Sequence, residues 1–162
     1  MDDVDRIVAQ WARERPELRT EAMAVFGRIY RLARVIGDRQ EKVCSELGIN
    51  RGEFDVLAAL RRAGEPFQLS PKSLSASLML TTGGMTGRLD RLERAGLVTR
   101  SPDPDDRRGL VITLTARGRE IIDEAVVAGL DVQREVFERL PEAARSQLAS
   151  LLRDLLAATE PE

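Results

Sequence analysis

The chain has 162 residues, of which 43% are hydrophobic and 32% are charged, and its formal net charge is −2. This balance is typical of one helical domain with a sizeable core. One cysteine and no histidine exclude an intrachain disulfide, the usual zinc-ligand sets and histidine-based catalysis, so we expect no metal and no cofactor. The N-terminus lacks a signal peptide and no apolar run reaches membrane-spanning length, which leads us to expect a cytoplasmic protein without membrane contact.

Three helices are predicted before residue 64. The first carries an apolar stripe that ends before Pro16: Val4, Ile7, Val8 and Trp11. A longer helix follows over about residues 20–47. Asn50 and Glu53 resemble a capping box that opens a third helix, and Gly64 ends it.

Residues 70–115 predict two short helices followed by a charged β-hairpin. Ser70 and Pro71 form a helix start, and the second helix ends at Gly96 after an apolar row at helical spacing: Met85, Leu89 and Leu92. Residues 97–100 and 110–114 are rich in β-branched side chains and flank a polar turn. This order is that of a winged helix-turn-helix, in which the second helix is the recognition helix and the hairpin is the wing.

Two further helices follow the hairpin. Thr115 can cap one that extends to about Leu140, and Pro141 starts the last, which carries an apolar row: Ala144, Leu148, Leu151, Leu152, Leu155 and Leu156. Such apolar helices beside a small lobe predict a homodimer interface. A two-fold dimer would place two recognition helices roughly 34–36 Å apart on a palindromic DNA site.

The predicted fold is therefore mainly α with a small β-hairpin wing. We assign residues 1–48 and 116–162 to a helical dimerisation region. Residues 49–115 form the winged helix-turn-helix lobe that binds DNA.

The recognition helix opens on small and hydroxylated residues: Thr81, Thr82, Gly83, Gly84, Thr86 and Gly87. Each interior glycine costs about 1 kcal/mol of helix stability relative to alanine. Close approach to DNA would offset that cost, because small residues expose backbone N–H groups to phosphates and base edges. Tight helix packing or a frayed first turn are the alternatives. A helical wheel places Arg94 with Gly87, opposite the apolar row.

Two segments carry a family resemblance: RLERAGLVTR over residues 91–100 and DRRGLVITLT over residues 106–115, followed by a helix start at 115–118. Together they resemble the MarR (multiple antibiotic resistance regulator) family over essentially the whole chain. The resemblance implies that wing residue Arg108, beside Arg107, enters the minor groove while Asp106 holds the loop, and a narrow minor groove does attract arginine. The alternative is a solvated turn.

Two further segments, QWARERPEL over residues 10–18 and FDVLAALRRAGEPFQLSP over residues 54–71, resemble the branch of that family that responds to urate, trans-aconitate and similar anions. The resemblance implies a ligand site at Trp11, Asp55, Arg88 and Arg100. An indole can cover a planar ligand and arginines can bind its carboxylates.

Arg88 lies at the edge of the apolar row of the recognition helix, so it should point inward and needs an anionic partner. Asp55 is one candidate for that partner, and a bound anion is another. The alternatives to a ligand site are a structural Asp55–Arg88 ion pair and a dimer-anchoring role for Trp11.

The leading hypothesis is a homodimeric repressor that a small anionic metabolite releases from its operator. A regulator that responds to phenolic compounds or oxidants is an alternative, the latter through Cys44, which has no resolving cysteine in the chain. A helical protein-interaction adaptor is another. An enzyme is not expected, because neither a nucleophile–base pair nor a phosphate loop is recognisable.

Overall fold

The computed structural model describes residues 1–78, 82–104 and 109–159, with the backbone alone at residues 82 and 83. Two compact units are formed, residues 1–42 and 43–162, and the boundary falls inside the second helix. Within the described residues there are seven helices and three strands: α1 (Asp3–Glu14), α2 (Glu21–Glu46), α3 (Arg51–Arg62), β1 (Gln68–Leu69), α4 (Pro71–Ser77), α5 (Thr82–Arg94), β2 (Val98–Pro102), β3 (Leu110–Leu114), α6 (Ala116–Phe137) and α7 (Glu142–Ala157).

The first unit consists of α1 and the part of α2 up to Lys42, and α1 packs against α2. Val4 of α1 is buried, and a Cβ built on Gly27 of α2 would lie 3.1 Å from its Cγ1 atom, so the two helices approach closely there. Asp2 and Asp5 form a reciprocal capping box that closes the N-terminus of α1. Arg28 of α2 donates to both carboxylates, at 2.9 Å to Asp2 and 2.5 Å to Asp5.

The capping box also sets the charge state of these carboxyl groups. The backbone N–H of Asp5 lowers the pKa of Asp2 below its ordinary 3.8, and the N–H of Asp2 does the same for the pKa of Asp5. The Arg28 guanidinium adds to both shifts. Both carboxyl groups consequently stay charged to a lower pH than an unperturbed aspartate does.

The second unit has one hydrophobic core. Helix α3 packs against α4, α5, α6 and β3, while α4 also contacts α5 and β3. The largest fully buried side chains come from all of these elements and β2: Val56, Leu57, Leu60, Leu74, Met85, Leu92, Val98, Ile112 and Ile122. Cys44 is also buried in this core. The helix-turn-helix is thus anchored on α3, which in turn packs against α6.

The local signals for helix ends are confirmed. Asn50 caps α3 with a complete capping box, Ser70 caps α4 ahead of Pro71, and Thr115 caps α6 through the N–H of Gly118. Gly96 adopts a left-handed φ of 72° just after α5. These start and end signals therefore set the boundaries of the helices in the winged helix-turn-helix.

The wing strands belong to a three-stranded antiparallel sheet with the order β1-β3-β2. Strands β2 and β3 pair from Val98–Leu114 to Pro102–Leu110, as the predicted hairpin requires. The two-residue strand β1 was not predicted. It pairs Gln68 with Thr113.

Strand β1 begins beside an aromatic residue that links α3 to α6. Phe67 has a left-handed φ of 59° and its carbonyl accepts the N–H of Leu114. The guanidinium carbons of Arg61 and Arg119 lie 5.2 and 5.7 Å from its ring centroid. Arg61 also pairs with Asp123 of α6 at 2.7 Å. These contacts fix the edge of the sheet against two helices.

Helix α7 has no buried residue, and its apolar row leaves four leucines exposed: Leu148, Leu151, Leu152 and Leu156. The assignment of the terminal helices to a dimerisation region stays a prediction. Over the described ranges, every helix is too short or too polar to span a bilayer.

Candidate nucleic-acid interface

Helix α5 has one buried and one exposed side, as predicted for a recognition helix. Met85, Leu89 and Leu92 are buried, whereas Gly84, Thr86 and Arg94 are exposed. A Cβ built on Gly87 would first meet Arg91, at 3.9 Å, which is an ordinary contact. Packing within the described chain therefore does not require glycine at position 87, and the tight-packing alternative loses support there.

Several predicted DNA contacts cannot be placed. Thr81 and the wing residues Asp106, Arg107 and Arg108 lie outside the described residues, and the side chains of Thr82 and Gly83 are not described. Their roles stay predictions.

The structure does not pair Arg88 with Asp55, one of the two candidate partners. Arg88 instead donates from Nη1 to the carbonyl oxygen of Gly52, at 3.3 Å, and Asp55 pairs with Arg51 at 3.4 Å. The sequence explains both contacts. Arg51 precedes Asp55 by one turn, and a Cβ at Gly52 would lie 2.7 Å from the Arg88 guanidinium carbon. Only glycine lets Arg88 lie so close to the α3 backbone.

A second contact between α5 and α3 was not predicted. Glu53 is a buried residue, 8% exposed, and its Oε1 accepts from Nε of Arg91 at 2.8 Å. Its Oε2 accepts the backbone N–H of Asn50, at 3.0 Å, in the capping box. One buried carboxylate thus closes the N-terminus of α3 and binds the recognition helix. The capping-box pattern identified Glu53, but nothing local to it identified Arg91.

The acidic residues of α5 contact the wing. Nη2 of Arg100 in β2 lies 2.5 Å from Asp90, and its Nε lies 3.5 Å from Glu93. The second contact is an ion pair without a hydrogen bond, because Nε is buried and has no hydrogen-bond partner. The predicted ligand arginine is therefore already engaged by two carboxylates of the recognition helix.

The C-terminus of α5 and the N-terminus of α6 meet at one hydroxyl. Oγ1 of Thr115 lies 2.8 Å from the carbonyl oxygen of Gly96 and 3.1 Å from that of Leu97, and it accepts the N–H of Gly118. A Cβ on Gly118 would lie 2.1 Å from the Leu97 carbonyl oxygen. The junction of residues 96–97 with residues 115–118 therefore leaves no room for a side chain at Gly118.

The four predicted ligand residues fall in two units. Trp11 lies in residues 1–42, on α1, with 41% of its surface exposed. Asp55, Arg88 and Arg100 lie in residues 43–162, where Arg88 and the partners of Arg100 share α5. Within the part of the chain that the structure describes, no group of three potential metal ligands comes together.

Known proteins resemble this chain along most of its length. A model of the MarR family matches residues 47–109. The HTH-type transcriptional regulator PecS of Dickeya dadantii (strain 3937) is 38% identical over 93% of this chain and 90% of its own length. The chain belongs to the MarR family. The multiple antibiotic resistance protein MarR of Escherichia coli (strain K12) is 30% identical over 78% of this chain and 89% of its own length.

Solved structures agree with this membership. A mutant E. coli MarR complexed with operator DNA has a TM-score of 0.73 at 28% identity, over 86% of this chain and 99% of that one. Sco3205 of Streptomyces coelicolor, a MarR family regulator in complex with DNA, has a TM-score of 0.77 at 23% identity over 90% and 95%, which shows the shared fold. The chain is thus a winged-helix transcriptional regulator and not an enzyme.

Proposed function

We propose that this MarR-family regulator is a homodimeric repressor that binds a palindromic operator through α5 and the wing. The observation that carries the proposal is the exposed, uncharged surface of α5 at Gly84 and Thr86, next to Gly87, opposite a fully buried row. A surface of this kind can approach base edges closely. The likeness to an E. coli MarR solved with operator DNA supports the same reading.

The operator proposal is tested by a mobility-shift titration on duplex DNA from upstream of the protein's own gene. Gly87→Glu places a carboxylate on the DNA side of α5, where the chain has room for a side chain, and should abolish binding through phosphate repulsion. Arg108→Ala should weaken it by about tenfold through loss of a minor-groove contact. Ser150→Glu on α7 adds the same charge away from the winged lobe in sequence and should bind normally. Full binding by Gly87→Glu and Arg108→Ala would refute this surface.

We also propose that a small anion such as urate or trans-aconitate relieves repression. The support is electrostatic. Arg88 has a neutral carbonyl oxygen, and not a carboxylate, as its hydrogen-bond partner. A bound anion could supply the negative charge that pairs with it. The burial of Cys44 argues against an oxidant sensor, because reactive cysteines are accessible.

Calorimetric titration with urate and with trans-aconitate tests the anion site. Wild-type protein should bind one of them. Arg88→Met should weaken that binding, whereas Arg119→Met, which removes a cation from α6, should not. Because coupling is reciprocal, operator DNA should lower the anion affinity by the same factor as the anion lowers DNA affinity. Binding of a neutral phenolic compound and of neither anion would overturn this choice of effector.

A further inference from the structure

Four of the five charged residues of α5 are sorted by sign. Arg88 and Arg91 contact α3, whereas Asp90 and Glu93 contact Arg100 of β2. Each pair is three residues apart, so its members share one side of the helix. The recognition helix therefore presents a cationic edge to α3 and an anionic edge to the base of the wing.

The anionic edge holds its partner in a partly desolvated position. The Arg100 side chain is 24% exposed, and its Nε atom is buried. Charge-assisted hydrogen bonds are stronger than neutral ones and gain further when they are shielded from water. An arginine in this position depends on the two carboxylates beside it, because a buried cation left unpaired is costly.

We propose that Asp90 and Glu93 are positioning residues that, through Arg100, latch strand β2 to the recognition helix, so that α5 and the wing engage DNA as one body. This inference rests on the proposed DNA-binding function. The expected effect of these acidic residues on DNA affinity is opposite to the usual one. Negative charges normally weaken binding to DNA. Here the latch makes two acidic residues of the recognition helix strengthen it, because a preorganised surface loses less freedom on binding.

The sign of the effect separates the latch from plain electrostatics. The variant Asp90→Asn/Glu93→Gln removes two negative charges at nearly constant shape. If only charge mattered, it would bind operator DNA more tightly. With the latch, it should bind the operator about tenfold more weakly, because α5 and the wing lose their common orientation. The variant Glu120→Gln/Glu124→Gln removes two charges from the exposed surface of α6 and should not weaken binding.

Hydrogen exchange in the absence of DNA provides a second readout. The backbone N–H groups of β2 should exchange about tenfold faster in Asp90→Asn/Glu93→Gln than in wild type, because the strand is held less firmly. Asp90→Glu keeps a carboxylate within reach of Arg100 and should restore both exchange protection and operator affinity. If the double variant does not fold, Asp90→Asn alone, which retains Glu93, should show smaller shifts in the same directions.

Either of two results would overturn the latch: unchanged exchange of β2, or operator binding by the double variant as tight as that of wild type. A wild-type protein that binds no DNA would instead refute the proposed function. The exchange measurement would then decide alone whether Asp90 and Glu93 hold β2.

Discussion

At the scale of single residues, Gly118 is fixed by its surroundings rather than by its backbone angles. A Cβ there would lie 2.1 Å from the carbonyl oxygen of Leu97 and 2.9 Å from Cδ1 of Leu114. The first contact is with backbone, which cannot rotate away as a side chain can. Position 118, at the junction between α5 and α6, therefore tolerates only glycine.

Gly118→Ala should lower the free energy of unfolding by about 2 kcal/mol or more, because the junction must open to admit a methyl group. Gly129→Ala is the matched control on the same helix. A Cβ at position 129 meets no described atom within 4 Å, so this change should be neutral or stabilise by about 0.5–1 kcal/mol through helix propensity. Urea denaturation of both variants measures the difference, and equal stabilities would contradict the steric reading.

Glu53 is a second residue whose environment determines its role. Its carboxylate accepts one hydrogen bond from the backbone N–H of Asn50, the N-cap of α3, and one from Arg91 of α5. Glu53→Gln should reduce the free energy of unfolding by about 1–2 kcal/mol, a modest value because the Arg91 side chain is half exposed. A double-mutant cycle with Arg91→Met, followed by urea denaturation, should return a clear coupling energy. Strictly additive effects would mean that the contact contributes nothing.

At the scale of elements, the sequence predicted what depends on short-range chemistry. Three helix starts were predictable from their N-cap residues, Asn50, Ser70 and Thr115. A cap side chain bonds to an N–H only three residues away, so the short local sequence identifies it. Strand β1 was not predicted, because a strand of two residues is too short to show an alternating pattern. Its hydrogen bonds are also made to β3, more than forty residues further along the chain.

The same difference between short-range and long-range contacts applies to the candidate site. The amphipathic character of α5 was predictable from its spacing, whereas the partners of Arg88 and Arg91 on α3 were not. The partner that an arginine of α5 reaches on α3 depends on how the two helices cross. For Arg88 the partner also depends on Gly52, because a side chain at that position would collide with the guanidinium group.

The attachment of α1 to α2 is an element-scale contact that should respond to acid. The pKa values of Asp2 and Asp5 lie below 3.8 in the folded chain, so their contribution to stability is complete above pH 3.8 and is lost as the pH falls through the lowered values. Trp11, the one tryptophan in the sequence, lies on α1 and reports the change by fluorescence. We expect its emission to change only below pH 3.8.

Arg28→Met should move this acid transition to higher pH, because the guanidinium lowers the pKa of both carboxyl groups. Arg34→Met is the control, since Arg34 pairs with Asp38 on its own helix. A transition that stays in place in Arg28→Met would show that the capping box alone sets these pKa values.

At the scale of the whole molecule, the exposed apolar surface calls for a second copy. Helix α7 buries none of its side chains, although Leu151 and Leu156 are apolar and 59% and 68% exposed. Leu151→Glu should shift the proposed homodimer towards monomer, because a carboxylate in an apolar interface is poorly solvated. Sedimentation velocity should show the halved mass. Ser150→Glu, on the opposite side of α7, should remain dimeric, and dimeric Leu151→Glu would exclude this row from the interface.

The tight junction at Thr115 and Gly118 gives the proposed dimer a mechanical property. Helix α5 has thirteen residues, so its first turn lies about 18 Å from the end that meets α6. Because a Cβ at Gly118 would clash with the Leu97 carbonyl oxygen, we expect a rotation of α6 to be passed on to α5, which would then act as a lever arm. A change of about 5° in the direction of α6 would displace the first turn by about 1.6 Å at this lever length. That is half the length of a hydrogen bond, so a slight change between paired subunits becomes a misfit at the DNA.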